Sequence, residues 1–366
     1  MHNDFKLTQE DIQALIEHAG MAPSGGNVQP WKVFVSGNDF DIKLEPSRSN
    51  SFLDIGYYAS LFAMGAFTEN LCITADALGL EYTIAFPTFV DVSSSLVKIT
   101  FIGKKGKKDA EQKSLFDVIP QRVTNRHLSD GTTLDPEIIH TLLHVAKTYN
   151  QKYTVHALYE LDKKEELVNL LGKLDGIRTL NEACFKQMLD EFRWTKEETE
   201  QTRDGMDLAT LEMPENAKKG LELIKRFPNM RFVLPKKVFE DNIKPVLMAS
   251  SHLCCLTYEG ELTPEAMFFS GRSFERLWLK ATSLGVSLQP WSIMSFFLFR
   301  VNYFNGVGFS QDEIKEIKKQ EERLQNVFGL SAEEVPLFIF RLSKTRKRPS
   351  ARSLRLPWTS YTTIVS

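Results

Sequence analysis

The chain is 366 residues long, 42% hydrophobic and 25% charged, the composition of a globular protein with a sizeable core, in two domains or one large one. Lys and Arg number 45 against 47 Asp and Glu, and the net charge of -2 provides no field that would recruit nucleic acid or an anionic membrane. No apolar run approaches the roughly 20 residues that span a bilayer, and Met1–Asp4 lacks the basic and apolar regions of a leader. Cys72, Cys184, Cys254 and Cys255 form no C-x-x-C pair, which points to reduced, buried thiols in a cytoplasmic protein rather than a metal site.

Leu7–Asp11 opens a first helix, with Thr8 as N-cap and Asp11 placed to close a capping box. Ile12, Leu15, Ile16 and Ala19 then repeat at helical spacing. The stretch Ala22-Pro23-Ser24-Gly25-Gly26-Asn27-Val28-Gln29-Pro30-Trp31 leads into a strand, Lys32–Val35. Its prolines fix φ, its glycines let the backbone bend, and Ser24, Asn27 and Gln29 offer short polar groups with Trp31 as a wall. Such a loop grips a flat polar ligand or simply joins helix to strand. Asp39–Pro46 reads as the second strand of the hairpin. Asp54–Leu78 reads as a long helix, apolar nearly all round and ended by Gly79, that needs covering by other helices. Glu81–Phe86 and Ser95–Ile102 follow as strands, and Gly103–Lys108 as a basic turn.

A second helix start, Leu134-Asp135-Pro136-Glu137, has Asp135 as N-cap and Pro136 in the first turn. Offset by 127, Leu7, Glu10, Ile12, Leu15 and Ala19 meet Leu134, Glu137, Ile139, Leu142 and Ala146. Offset by 206, Phe62, Gly65, Glu69, Leu71, Ala75, Leu78 and Gly79 meet Phe268, Gly271, Glu275, Leu277, Ala281, Leu284 and Gly285. Two matches in the same order predict a degenerate duplication, with halves at 1–112 and 113–366. The offsets differ by 79 residues, so the second half carries extra chain, placed at about Asp190–Pro245. It is Lys/Glu-rich with scattered Trp and Met, a lid or a surface-packed insertion.

Arg122, Thr124 and Arg126 alternate and can converge on one phosphate, or form a solvated basic loop. Gln289-Pro290-Trp291 follows the second long helix and leads into a strand, and Arg352 and Arg355 precede Leu356-Pro357. The order P-S-G-G-N-x-Q-P-W resembles the flavin-contacting loop of the nitroreductase family, implying roles for Pro23, Ser24, Gly25, Asn27 and Gln29. Arg122-x-Thr124-x-Arg126 is similar to the family's R-x-S-x-R, which holds the FMN phosphate. Arg352 and Arg355 are similar to its C-terminal basic pair, with one residue more between them, which leaves open which of the two reaches the phosphate. Gln289, Pro290 and Trp291 match the turn whose backbone lies beside the flavin's redox edge, where an N–H stabilises charge as hydride is accepted.

The resemblance covers most of the chain outside the insertion and is nearest the two-halved branch that includes the mycobacterial Acg-type proteins. It implies an α+β nitroreductase fold in which two degenerate copies mimic the family's homodimer. The loop occurs only in the first copy and the other motifs only in the second, implying one FMN per chain. The loop would clamp the flavin opposite the phosphate segment. The implied activity is NAD(P)H-dependent reduction of a small organic acceptor such as a nitroaromatic or quinone, by a monomer (a pseudo-dimer) or a homodimer. No Cys, His or acid in the motifs is a catalytic candidate. The alternative is a protein that stores or sequesters FMN under its lid. A nucleic-acid or partner module using Lys344–Arg348 lacks interleaved aromatics.

Overall fold

The computed structural model describes residues 5–49, 51–86, 94–105, 110–233 and 237–365. Met1–Asp4 and the Gly106–Lys108 part of the expected basic turn lie outside them. Gly103 and Lys104 extend the preceding strand rather than turning.

The first half runs α1 (Gln9–Gly20), β1 (Trp31–Ser36), β2 (Asp39–Leu44), α2 (Tyr58–Leu78), β3 (Leu80–Ala85) and β4 (Ser95–Lys104). Thr8 and Asp11 close the capping box reciprocally, each hydrogen bond 3.1 Å long. The long helix starts at Tyr58 rather than Asp54, because Gly56 and Tyr57 take left-handed φ values of 61° and 62° that break helical geometry. Asp54 instead receives the Ser60 N–H at 2.9 Å. A linker helix α3 (Ala110–Val118) runs through the boundary expected at 112.

The second half repeats the order with α4 (Pro136–Val145), β5 (Tyr153–Leu158), an insertion, then β8 (His252–Glu259), α10 (Pro264–Ser283) and β9 (Ser287–Pro290). After the helices α11 (Ile293–Tyr303) and α12 (Gln311–Phe328) comes β10 (Glu334–Ser343). The insertion contains α5 (Leu161–Leu180), α6 (Glu182–Glu191), β6 (Phe192–Arg193), α7 (Lys196–Thr202), β7 (Met206–Asp207), α8 (Glu215–Arg226) and α9 (Lys237–Met248). It thus begins some thirty residues before Asp190 and replaces the two-residue turn of the first hairpin. Its onset was hidden because the helical pattern of α5 reads like ordinary second-half sequence.

The two sheets share one topology. The first orders its strands β1-β2-β4-β3 and the second β5-β8-β10-β9, every pairing antiparallel. A last strand, β11 (Thr362–Val365), crosses from the second half to pair parallel with β1. One hydrophobic core, from Leu15 and Trp31 to Phe274 and Phe340, runs through both halves. Strand β1 alternates buried and half-buried residues, as fits a sheet covered on one face. The stretch Leu253–Leu256 of β8 is apolar on both faces: Cys254 and Leu256 join the shared core, while Leu253 and Cys255 face a second core with Leu171, Ile243 and Phe297. Among the described residues no helix is long and apolar enough to cross a membrane.

The halves meet where α2 crosses α10. A Cβ on Gly65 would stand 1.9 Å from the Phe268 carbonyl oxygen, and one on Gly271 would stand 1.9 Å from that of Phe62. These are the residues paired by the 206-residue offset, so the contact is reciprocal. Backbone cannot yield as a side chain can, and Gly65→Ala is expected to lower stability by about 2–3 kcal/mol. Chemical denaturation checks this; a loss below about 0.5 kcal/mol, the scale of an ordinary surface change, would show that the helices separate freely.

Candidate functional site

A cavity of about 480 Å³ opens beside the α2–α10 crossing. From the first half it takes Pro23, Ser24, Gly25, Gly26 and Asn27, and from the second Arg122, Thr124, Arg126, Pro290, Arg352 and Arg355. Phe62, Phe274 and Trp278 supply apolar wall, and the insertion contributes Met206 and Thr210. Residues separated by more than 300 positions therefore share one chamber.

The Pro23–Trp31 loop is held in an unusual backbone state. Gly26, Asn27 and Gln29 have φ of 57°, 55° and 54°, which for the two non-glycine residues costs on the order of 1–3 kcal/mol each. Their side chains offset it by binding the C-terminal segment. The Asn27 amide donates to the Leu354 carbonyl at 3.0 Å, and its oxygen accepts from Arg355 at 2.8 Å. Gln29 is fully buried; its amide donates to the Arg203 carbonyl at 2.9 Å, and its oxygen accepts from Leu356 N–H at 2.8 Å. Gln29 lines neither cavity described here and holds protein to protein, and Trp31 is no wall but a core residue against Phe67, at 5.0 Å between rings. The loop also adjoins the arginines rather than facing them from across the chamber.

Arg122 is buried, stacked 4.6 Å over Trp278, with Nε 3.1 Å from the Glu275 carboxylate and a terminal nitrogen donating to the Met21 carbonyl at 2.7 Å. Arg352 staples the C-terminal segment to the carbonyls of Pro120 and Arg122. Arg355 donates to the Ala22 carbonyl at 3.2 Å, and its Nε is buried without a hydrogen-bond partner. Arg126 donates to the Thr210 carbonyl at 2.9 Å. Burial lowers Arg126 to about 10, opposed by Glu212, and lowers Arg355 to about 9, with Arg122 adding repulsion and Glu275 opposing it. Glu275 is itself pushed up to about 7 by burial, against the pull of Arg122. These are cations short of counter-charge in a part-desolvated space, which favours an anion between them.

Behind the chamber, residues given no role from sequence fix the arginine segment. Arg341 is buried in β10, donating to the His127 carbonyl at 2.7 Å and the Asn125 carbonyl at 3.1 Å. Its Nε donates to the Gln289 side-chain oxygen at 2.7 Å. Asn125 donates to Thr345 Oγ1 at 2.7 Å. The signal was available, since an arginine inside the apolar run Leu337–Leu342 must find acceptors. The Gln289 oxygen is thus held by Arg341, while Gln289 still lines a cavity. At the turn, Pro290 has no N–H, and that of Trp291 donates to the Ile339 carbonyl at 2.6 Å. Ser292 lines this chamber and a second one.

That second cavity, about 300 Å³, shares Ser24–Gly26, Arg126, Met206 and Pro290 with the first. Gln289 and Trp291 line only this one. Insertion residues 203–212 strap the larger chamber. Arg203 donates to the Arg355 carbonyl at 2.7 Å, Arg48 meets Asp204 at 3.1 Å, and Glu212 accepts from Ser350 N–H at 2.6 Å. Glu69, matched to Glu275 by the 206-residue offset, is surrounded by charged and aromatic side chains. There Arg272 stacks 4.2 Å over Tyr149 and 5.7 Å over Phe86. Against the cost of burial, Arg272 and Arg276 hold the Glu69 carboxylate below its ordinary range. Glu69 is the counterpart of Glu275.

A sequence model of the Nitroreductase family matches residues 2–59. An uncharacterized protein of Mycobacterium tuberculosis, MT1398, is 25% identical over 288 residues, which are 78% of this chain. The chain spans 39% of the length of that curated relative. The FMN-dependent nitroreductase NfnB from Mycobacterium smegmatis, solved with NADPH, is 10% identical over 69% of this chain and 99% of its own, with a TM-score of 0.44. A nitroreductase with bound FMN from Desulfitobacterium hafniense is 10% identical over 69% of this chain and 98% of its own, with a TM-score of 0.39. The family match falls on the segment that carries α1, the cavity loop and the first hairpin, so it is this segment that is similar to the nitroreductase family, within a chain of α+β architecture.

Proposed function

We propose that the chain binds one FMN in the larger cavity and acts as a flavin oxidoreductase, reducing a small organic acceptor such as a nitroaromatic or quinone with electrons from NAD(P)H. The observation that carries this is that Arg122, Arg126, Arg352 and Arg355 all line the cavity, with Arg126 and Arg355 in no ion pair among the described residues and the Arg355 Nε without a hydrogen-bond partner. A phosphate monoester supplies the missing acceptors, and the apolar wall of Phe62, Phe274 and Trp278 suits a flat ring system. Thr124 adds a hydroxyl to the same wall. When bound, the flavin supplies two-electron redox chemistry. The chain's residues bind it, orient it and exclude water, and none is proposed as an acid or base.

The pairing of Glu69 with Arg272 and Arg276, where Glu275 meets the chamber's Arg122, supports one flavin per chain, and the shared strand order supports two degenerate copies, 1–112 and 113–366. The chain would then stand in for the family's dimer, alone or as a homodimer. The strap over residues 203–212 favours a second reading, in which the insertion is a closed lid and FMN is stored rather than turned over. Reduction of the FMN-loaded protein separates the two. Loss of the flavin's visible absorption within seconds of adding NADPH or NADH is expected of the oxidoreductase. Bleaching by dithionite alone supports storage, and failure to take up FMN overturns both.

A further inference from the structure

The smaller cavity carries charge that the protein itself leaves unused. Among the charged groups on its wall, Arg48 is paired with Asp204, Asp54 receives Ser60, Arg126 donates to the Thr210 carbonyl and Glu191 accepts from Gln187 at 3.0 Å. Two others differ. Neither the Arg178 guanidinium nor the Asp175 carboxyl makes a hydrogen bond or ion pair among the described residues, although both line the chamber. They sit three residues apart on α5, an insertion helix with no counterpart in the first half. Phe192, Trp291 and Phe296 line the same chamber and offer aromatic surface.

We infer that the smaller cavity binds a small aromatic carboxylate, its ring among Phe192, Trp291 and Phe296 and its carboxylate accepting hydrogen bonds from Arg178. A guanidinium presents a planar fork matched to a carboxylate, and the contact gains from partial desolvation. Burial raises Asp175 above the ordinary carboxylate range, opposed by Arg178, and raises Glu191 likewise. Raised acids hold protons more readily, which lessens repulsion toward an anionic guest. At about 300 Å³ the chamber is at the lower end of ligand pockets, the scale of a single ring and not of a dinucleotide. The shared wall at Ser24–Gly26 and Pro290 places such a guest next to the larger chamber. That this guest is the substrate rests on the flavin reading; its binding does not.

The test uses the full chain, titrated by calorimetry with benzoate and with its neutral isostere benzamide, with and without prior loading with FMN. Benzoate is expected to bind at least about tenfold more tightly than benzamide, the span of one charged hydrogen bond. Arg178→Gln is expected to erase that preference, while Asp175→Asn keeps it. Equal binding of the two probes by the wild type, no binding of either, or a preference that survives Arg178→Gln overturns the inference. The wild-type comparison decides the matter even if the Arg178 variant does not fold. A chain that takes up no FMN but prefers benzoate defeats the flavin reading alone; one that loads FMN without the preference defeats this inference alone.

Discussion

With Arg126 and Arg355 both replaced by glutamine, the chain is expected to purify without flavin and to bind added FMN on the order of 10²–10⁴ more weakly, from about 1.5–3 kcal/mol for each charged contact. These two are chosen because their guanidinium groups are the least committed. Arg126 has one carbonyl partner, and Arg355 keeps a buried Nε with none, whereas Arg122 is engaged with Glu275 and Met21. Arg355 also holds Asn27, so its loss loosens the loop; Arg126→Gln alone, expected to weaken binding by about 10–100-fold, isolates the phosphate contact. Equilibrium titration of well-folded variants measures both, and wild-type affinity in each would refute the phosphate site. A pH dependence follows. Burial lowers Arg355 to about 9 and Arg126 to about 10, so FMN affinity is expected to fall as pH rises through that range, which titration at pH 7 and 10 checks.

Arg122→Gln is expected to cost about 3–5 kcal/mol of stability at pH 8, because it strands the fully buried Glu275 carboxylate. The sign with pH is fixed by the acid. Glu275 has a folded value raised to about 7 from an ordinary 4.5, so its favourable contribution is complete below 4.5 and lost as pH rises through 7. The cost of Arg122→Gln therefore shrinks toward pH 5, where the acid is protonated. Adding Glu275→Gln is expected to recover most of the loss at pH 8, since it removes the stranded charge. Urea denaturation at pH 5.5 and 8 checks both, and equal losses at the two values would show that the pair is not coupled.

The motifs were legible because their residue types leave few uses: a loop of Pro, Gly and Asn, two alternating arginines, and a C-terminal arginine pair. The roles within them were less legible. Gln29 and Gln289 look like ligand contacts, yet each was claimed by a protein group, the Leu356 amide in one case and Arg341 in the other. Glu275 was visible as the counterpart of Glu69, but nothing local showed that one meets Arg122 at the cavity's edge and the other a pair of arginines.

Sequence alone determined α1, the β1–β2 hairpin, the two long helices, β3, β4, the start of α4 and the two matched offsets, and it singled out segments that line the chamber, because local propensity, capping and hydrophobic period act over a few residues. Only the tertiary structure decided that β11 returns to the first sheet, that insertion residues reach the cavity and that the Arg178 guanidinium makes no hydrogen bond or ion pair among the described residues. Those outcomes depend on which buried polar group meets which acceptor across hundreds of residues, a competition that short-range patterns do not encode.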